Sequence, residues 1–247
     1  MEYEDEFRYN GKWTGKGYDT NGNIIYELKD GTGKVKEYNK FDKLIFEGDY
    51  LNGEKNGKVK EYDYFQGILI FEGEYLNGIR WKGKNKEYYS NGKLKFEGEY
   101  LGDYQKKGKE YVNEILRYEG EYYKDRKWSG KGYDEKGNII YELINGNGKI
   151  KEFNEKGKLI FEGEYLNGKR NGKGKVYDFL DGYLVFEGEY LNGERNGNGK
   201  EYSRYDNLLF EGEFKNGKRW NGKGKEYDSD IGLEYEVGYL YGEKRKI

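Results

Sequence analysis

The sequence has no cysteine, no histidine and no proline. Without cysteine, disulfides and thiolate metal sites are excluded, and thiol usage says nothing about compartment. Without cysteine and histidine, the Ser-His and Cys-His pairs of nucleophilic catalysis are excluded as well. Ser90, Ser129, Ser203 and Ser229 fall in turn-like stretches without a nucleophile elbow. No apolar run approaches the ~18–20 residues that a membrane-spanning helix needs, so no transmembrane segment is expected. An excess of one charge is also missing. Lys+Arg number 45 and Asp+Glu 47, a net charge of -2, which gives no global field for nucleic acid or an anionic surface. The start, Met1-Glu2-Tyr3-Glu4-Asp5-Glu6-Phe7, lacks the basic-then-apolar pattern of a secretory signal. There is no Asn-x-Ser/Thr acceptor either, and both features fit a cytoplasmic protein.

A mean hydropathy of -1.21 and 37% charged residues would by themselves suggest disorder. The aromatics oppose that reading. They make up 18% of the chain, 29 of them Tyr, and they recur at fixed positions. The expectation is an ordered fold with a thin core of rings.

One fifteen-residue phrase organises the chain, Phe161-Glu162-Gly163-Glu164-Tyr165-Leu166-Asn167-Gly168-Lys169-Arg170-Asn171-Gly172-Lys173-Gly174-Lys175. Close copies begin at Phe46, Phe71, Phe96, Phe186 and Phe210, and degenerate ones at Tyr26, Tyr118, Tyr141 and Tyr235. A period of roughly 20–25 residues marks a solenoid or array. Phe161, Gly163 and Tyr165 share one strand face, and Glu162 and Glu164 share the other. Asn167-Gly168 is a turn signal, and the glycines after it open a return strand. Glycine between two rings predicts that a ring lies flat over the bare backbone. The rings then form a structural ladder, Phe46, Tyr50, Phe71, Tyr75, Phe96, Tyr100, Phe161, Tyr165, Phe186, Tyr190, Phe210 and Phe214. The opposite face sets Glu of one strand beside Lys of the next. Return-strand Tyr202 has the opposite parity to Gly197 and Gly199, which predicts a bulge or twist.

This pattern resembles the MORN repeat, with its aromatic, Gly, aromatic, Asn-Gly turn and Gly-x-Gly return. The stretch Tyr88-Tyr89-Ser90-Asn91-Gly92-Lys93-Leu94-Lys95-Phe96-Glu97-Gly98-Glu99-Tyr100 looks most like the variant in bacterial antitoxin-type MORN proteins. The fold expected is all-β, an elongated single-layer antiparallel β-solenoid of tandem hairpins. At about 4.8 Å per strand it would run to the order of 100 Å. The resemblance implies a role in linking membranes, cytoskeleton or complexes, or in neutralising a partner toxin.

A longer period overlies the first. Lys127-Trp128-Ser129-Gly130-Lys131-Gly132-Tyr133-Asp134 repeats Lys12-Trp13-Thr14-Gly15-Lys16-Gly17-Tyr18-Asp19, and the offset persists through Phe46/Phe161 and Phe71/Phe186 before slipping by one at Phe96/Phe210. A block copied once accounts for this. The chain then reads as one array: a degenerate acidic cap over 1–25, a first block over 26–117, its duplicate over 118–234, and a partial unit over 235–247 with the basic Lys244-Arg245-Lys246-Ile247 tail. Charge at both ends suits edge protection or head-to-tail association.

Four patterns offer chemistry. The Glu162/Glu164 pair could serve glycoside hydrolysis, but it recurs in unit after unit and reads as a solvated face. The spans 78–84 and 217–223 match phosphate-loop spacing as far as Lys84 and Lys223. Asn85 and Gly224 then stand where Ser or Thr is required. In the calcium-loop-like run from Asp19 to Asn23, Ile24 stands in the place of the invariant Gly. The ring ladder with its lysines and arginines suits stacking or partner contact, and Trp and Arg are enriched at hot spots. Trp13, Arg80, Trp81, Trp128, Arg219 and Trp220 are therefore the expected partner-binding residues. No catalytic residue, metal or cofactor is expected. The function expected is a non-enzymatic scaffold for protein partners or self-association, cytoplasmic and in contact with membrane or cytoskeleton. Anionic phospholipid, or glycan held on the ring ladder, is the alternative.

Overall fold

The computed structural model describes residues 3–8, 11–18, 21–102, 104–228 and 233–246. Met1-Glu2 of the acidic cap, Asp19-Thr20 of the calcium-loop-like run, Asp103 and Ile247 lie outside the described residues. The protein is all-β, with no helix among the described residues. It divides into two compact units, Met1–Glu110 and Tyr111–Ile247.

Unit one carries β1 (Tyr3–Arg8), β2 (Gly11–Tyr18), β3 (Ile24–Lys29), β4 (Thr32–Tyr38), β5 (Leu44–Leu51), β6 (Glu54–Tyr62), β7 (Leu69–Leu76), β8 (Ile79–Tyr88), β9 (Leu94–Leu101) and β10 (Tyr104–Val112). Each pairs antiparallel with the next. Unit two carries β11 (Ile115–Tyr123), β12 (Arg126–Tyr133), β13 (Ile139–Leu143), β14 (Gly148–Phe153), β15 (Leu159–Leu166), β16 (Lys169–Tyr177), β17 (Leu184–Leu191), β18 (Glu194–Tyr202), β19 (Leu208–Lys215), β20 (Lys218–Asp228), β21 (Leu233–Leu240) and β22 (Glu243–Lys246). Here too neighbours in sequence are neighbours in space. The one interruption is between β13 and β14, which meet through the isolated bridge Ile144↔Asn147.

The β17–β18 hairpin shows how the phrase folds. Phe186 pairs with Glu201, Glu187 with Lys200 and Gly188 with Gly199. At the tip, Asn192 and Gly193 both take positive φ, 53° and 100°, as a two-residue type I′ turn requires. The tips also bond to one another. Gly193 N–H donates to Arg170 C=O, and Gly217 N–H to Arg195 C=O, each at 2.9 Å or less. In unit one Gly53 donates to Gly31 and Gly78 to Lys55. On the opposite edge, turn residues such as Asn39, Asp134 and Asn154 accept backbone N–H groups two and four residues ahead, so an Asx turn shapes each of these loops.

The core is a row of rings on one sheet face. Phe46, Phe71, Phe96, Phe161, Phe186 and Phe210 are buried. A Cβ added at Gly188 would lie 2.6 Å from Phe186 Cζ and 2.6 Å from Gly199 Cα. Glycine thus clears the floor for the ring two residues before it in the same strand. The expected neighbouring ring also arrives, because Phe214 Cε2 lies 3.1 Å from a Cβ at Gly199. The rings meet edge to face: Phe186 with Tyr190 at 5.6 Å and with Phe214 at 5.1 Å. Each such pair contributes roughly 0.5–1.5 kcal/mol beyond its burial.

The irregularity near Tyr202 is present. Register shifts between Glu201 and Tyr202, and between Val176 and Tyr177. These tyrosines lie on the charged face, where Tyr202 OH donates to Glu187 and Tyr177 OH to Glu162, each at 2.7 Å. A second shift, between the two strands of most tip hairpins, has no counterpart among the expectations. In the Asn-Gly type, Gly57, Gly172 and Gly197 take positive φ just before the register resumes. In the Trp type, one residue is extra, and it is Trp13, Trp81, Trp128 or Trp220.

Candidate interaction surfaces

Every unit offers a ring face and an open, charged face. The ring face is closed by side chains of its own. Arg195 lies over Phe186 at 4.2 Å, Arg170 over Phe161 at 4.0 Å and Lys55 over Phe46 at 3.9 Å. A return-strand Glu holds the lid. Tyr165 OH donates to Glu152 at 2.5 Å and Arg170 Nη2 to the same carboxylate at 2.7 Å. Tyr75 OH donates to Glu61 at 2.7 Å, and Arg80 Nε to Glu61 at 3.0 Å. These carboxylates were not among the expected functional residues. Their signal is a Glu directly before a return-strand ring, as in Glu61-Tyr62, Glu152-Phe153 and Glu201-Tyr202.

The arrangement sets protonation. Burial of Glu61 favours its neutral form, but the hydrogen bonds from Tyr75 and Arg80 outweigh it and hold the carboxyl below its ordinary value. Tyr177 and Lys151 hold Glu162 low, and Tyr202 and Lys175 hold Glu187 low. Burial, then the Glu61 hydrogen bond, pushes Tyr75 up to about 12. Tyr62, Tyr177 and Tyr202 are likewise pushed up to about 12, by burial first and then by their Glu partners. The depressed carboxyls stabilise the fold above their unfolded value, and that contribution is lost as pH falls through the folded one. The raised tyrosines stabilise below their unfolded value, and their contribution is lost as pH rises through the folded one. We therefore expect urea midpoints that are flat from about pH 5 to 9 and fall on both sides. Absorbance titration should show tyrosinate appearing late, between pH 10 and about 12 for Tyr62, Tyr75, Tyr177 and Tyr202. Titration of every tyrosine near pH 10 with the fold intact would contradict the lid.

The open face is a groove in each unit. In unit two it has a volume of about 850 Å³, with walls that include Lys151, Glu162, Lys175, Glu187, Lys200 and Glu211 and a floor that includes Gly163, Gly174, Gly188 and Gly199. The walls pair across strands: Lys151–Glu162 at 3.4 Å, Lys175–Glu187 at 3.5 Å and Lys200–Glu211 at 3.0 Å. Unit one has a groove of about 1030 Å³ along Glu47, Lys60, Glu72, Lys82 and Glu99. Glu164 and Glu189 have a local task. They accept the Lys173 and Asn198 N–H groups at 3.2 and 2.9 Å, where the return strand bulges. The Glu162/Glu164 pair therefore has structural partners on both members. The phosphate-loop-like spans 78–84 and 217–223 run from a hairpin tip into β8 and β20, with no helix after them. Among the described residues no group of acidic side chains could hold a metal ion.

The expected contact residues separate into two kinds. Arg80 and Arg219 turn inward: Arg80 lies over Phe71 at 4.6 Å, and Arg219 bonds Glu201 at 2.6 Å and Tyr239 OH at 3.1 Å. They are lid residues, drawn in by a ring and a carboxylate. The four tryptophans sit at bulges. Trp128 packs beside Tyr123 at 5.1 Å, and Trp220 beside Tyr241 at 5.9 Å with Lys215 Nζ 4.4 Å above it. Trp13 is half-buried, and Trp81 is the exposed member of the four. The ladder Phe rings are buried, most of them under a lid, and present no open face for stacking a sugar or a base.

No family model matches the chain, and no curated protein matches it. Among solved structures, a chain of the TcdB2-TccC3-Cdc42 crystal structure matches at 10% identity with a TM-score of 0.21. The match covers 91% of this chain and 13% of that one, so this chain spans a small part of that protein's length.

Proposed function

We propose that this chain is a MORN-like, non-enzymatic scaffold whose open faces bind a protein partner. One observation carries the reading. The rings are committed to the core, and what each unit turns outward is the same self-paired Lys/Glu row, repeated without a convergent set of reactive groups. Repetition of a nearly neutral face suits an extended contact with a protein better than the capture of one small molecule. The paired lysines also leave little net field for an anionic membrane.

Affinity recovery from the host's own extract, with mass spectrometry of what is retained, tests this. One protein recovered in stoichiometric amount, with no binding to phosphatidylserine vesicles at low salt, is the expected result. Recovery of the bait alone, together with vesicle flotation that salt abolishes, would overturn it in favour of a peripheral lipid role.

A further inference from the structure

At the loop edge of unit one, a pocket of about 520 Å³ opens between loops 63–68 and 89–93, a size within the range of small-ligand sites. Its rings are Phe65, Tyr88 and Tyr89, none of them part of the buried ladder. Phe65 is 70% exposed, yet it is held in place. Its N–H donates to Asp63 Oδ1 at 2.9 Å, its carbonyl accepts from Lys43 Nζ, and Tyr64 packs edge-on against its ring at 5.1 Å. Asn39 Nδ2 donates to the carbonyl of Tyr64 just before it.

The residues around this pocket depart from rules that the rest of the chain keeps. In six other loops the first residue, Asn39, Asp63, Asp134, Asn154, Asp178 or Ser203, accepts a backbone N–H of its own turn. Here that residue is Tyr89, whose long ring cannot fold back in this way, and Asn91 caps the Lys93 N–H instead. Gln66 and Ser90 hold the places of Asp181 and Arg204, whose ion pair at 3.2 Å joins the two loops in unit two. Tyr88 holds the place of Tyr202. Tyr202 OH donates to Glu187, whereas Tyr88 OH makes no hydrogen bond within the described residues. The duplicate thus folds with the turn capped and the gap bridged, and unit one forgoes both. Local bonds are given up in this way where a site requires it.

The lining sets the class of ligand. Each charge in it is already answered: Asp63 by the N–H groups of its own turn, Lys86 by Glu97 at 3.9 Å, and Glu87 by Tyr100 and Lys95. No charge is left over to attract an ion of either sign, so a neutral ligand fits. The rings require a flat apolar face. The Tyr88 and Ser90 hydroxyls and the Gln66 amide each donate and accept, which matches the hydroxyls of a sugar in any order. A nucleobase, with its fixed pattern of donors and acceptors, has no such latitude. We propose that this pocket binds an uncharged oligosaccharide, one pyranose stacking on Phe65 and bonding to Gln66, Tyr88 and Ser90. The site goes beyond the scaffold reading and does not depend on it.

The test uses the full chain with maltotriose, cellotriose and chitotriose, and with the charged trimers of galacturonate and glucosamine as counterparts. Calorimetry is expected to show saturable binding of at least one uncharged trisaccharide, with both charged trimers weaker by at least about tenfold. The variant Gln66→Asp/Tyr89→Ser/Ser90→Arg takes the duplicate's residues and so keeps a pair of loops that folds. It is expected to lose at least about tenfold in affinity, while its urea midpoint stays at or above that of the wild type. Phe65→Ala removes an exposed ring and is expected to weaken binding with the midpoint unchanged. Absence of binding by every uncharged trisaccharide at about 10 mM would overturn the proposal. So would tighter binding of a charged trimer or of adenosine, or unchanged binding by either variant. A midpoint below the wild type's in the triple variant would assign Tyr89 to the fold rather than to a ligand, and would overturn it as well.

Discussion

Phe186→Ala is expected to lower the stability of unit two by about 3–5 kcal/mol, the usual range for deleting a buried ring. The side chain is fully buried. It touches Tyr190 and Phe214 edge-on, carries Arg195 above it, and rests on Gly188 and Gly199. None of these can fill the space, because the floor is backbone and the lid is tied to Glu201. In an array each hairpin borders only its neighbours, so the loss falls on the contacts of β16 to β19. Phe179→Ala is the control. That ring is 49% exposed, and its removal should change stability by less than about 0.5 kcal/mol. Urea titration followed by circular dichroism separates the two. Equal midpoints would mean that the ring row is not the core.

Glu201→Ala should cost about 2–3 kcal/mol, through charge rather than volume. One carboxylate lies between two guanidiniums, accepting from Arg195 Nη1 at 2.5 Å and from Arg219 Nε at 2.6 Å. Those guanidiniums cover Phe186 and Phe210. Their side chains are 25% and 22% exposed, and that of Glu201 is 18% exposed. Removing the carboxylate strands two cations in a half-dry site. The Lys200–Glu211 pair gives the contrast. At 3.0 Å it is also in direct contact, but its side chains are 43% and 56% exposed, so Lys200→Ala should change stability by about 1 kcal/mol or less. A double-mutant cycle between Glu201→Ala and Arg219→Ala measures the coupling directly. A coupling no larger than that of the exposed pair would show that the lid contributes nothing beyond an ordinary surface contact.

Much of the fold is legible in the repeated phrase. Phe, Gly and Tyr at alternate positions state which face is dry, and Asn-Gly states where the chain reverses. The lid is not legible in the same way. Arg80 and Arg219 beside tryptophans look like exposed contact residues, because sequence spacing shows neither a bulge nor what lies two strands away. The bulge turns the second residue after the tip, Lys55, Arg80, Arg170, Arg195 or Arg219, back over its own Phe. For Arg80, Arg170 and Arg219 the Glu that receives it belongs to the previous return strand, so the pattern crosses the boundary between repeats, while Arg195 bonds Glu201 of its own strand.

The tip bonds all point one way. Gly53 donates to Gly31, Gly78 to Lys55, Gly168 to Gly146, Gly193 to Arg170 and Gly217 to Arg195, always from the later hairpin to the earlier. Several lids reach back in the same way, Tyr75 and Arg80 to Glu61 and Arg219 to Glu201, while Arg195 reaches forward to Glu201 within its own strand. A hairpin leaving the ribosome therefore finds the acceptors for its tip already assembled, whereas at the other edge Asn39 and Asn154 donate forward, to the carbonyls of Tyr64 and Phe179. Synthesis can lay down each tip on the tip before it, at the rate of translation, and each loop of the other edge is completed by the hairpin that follows.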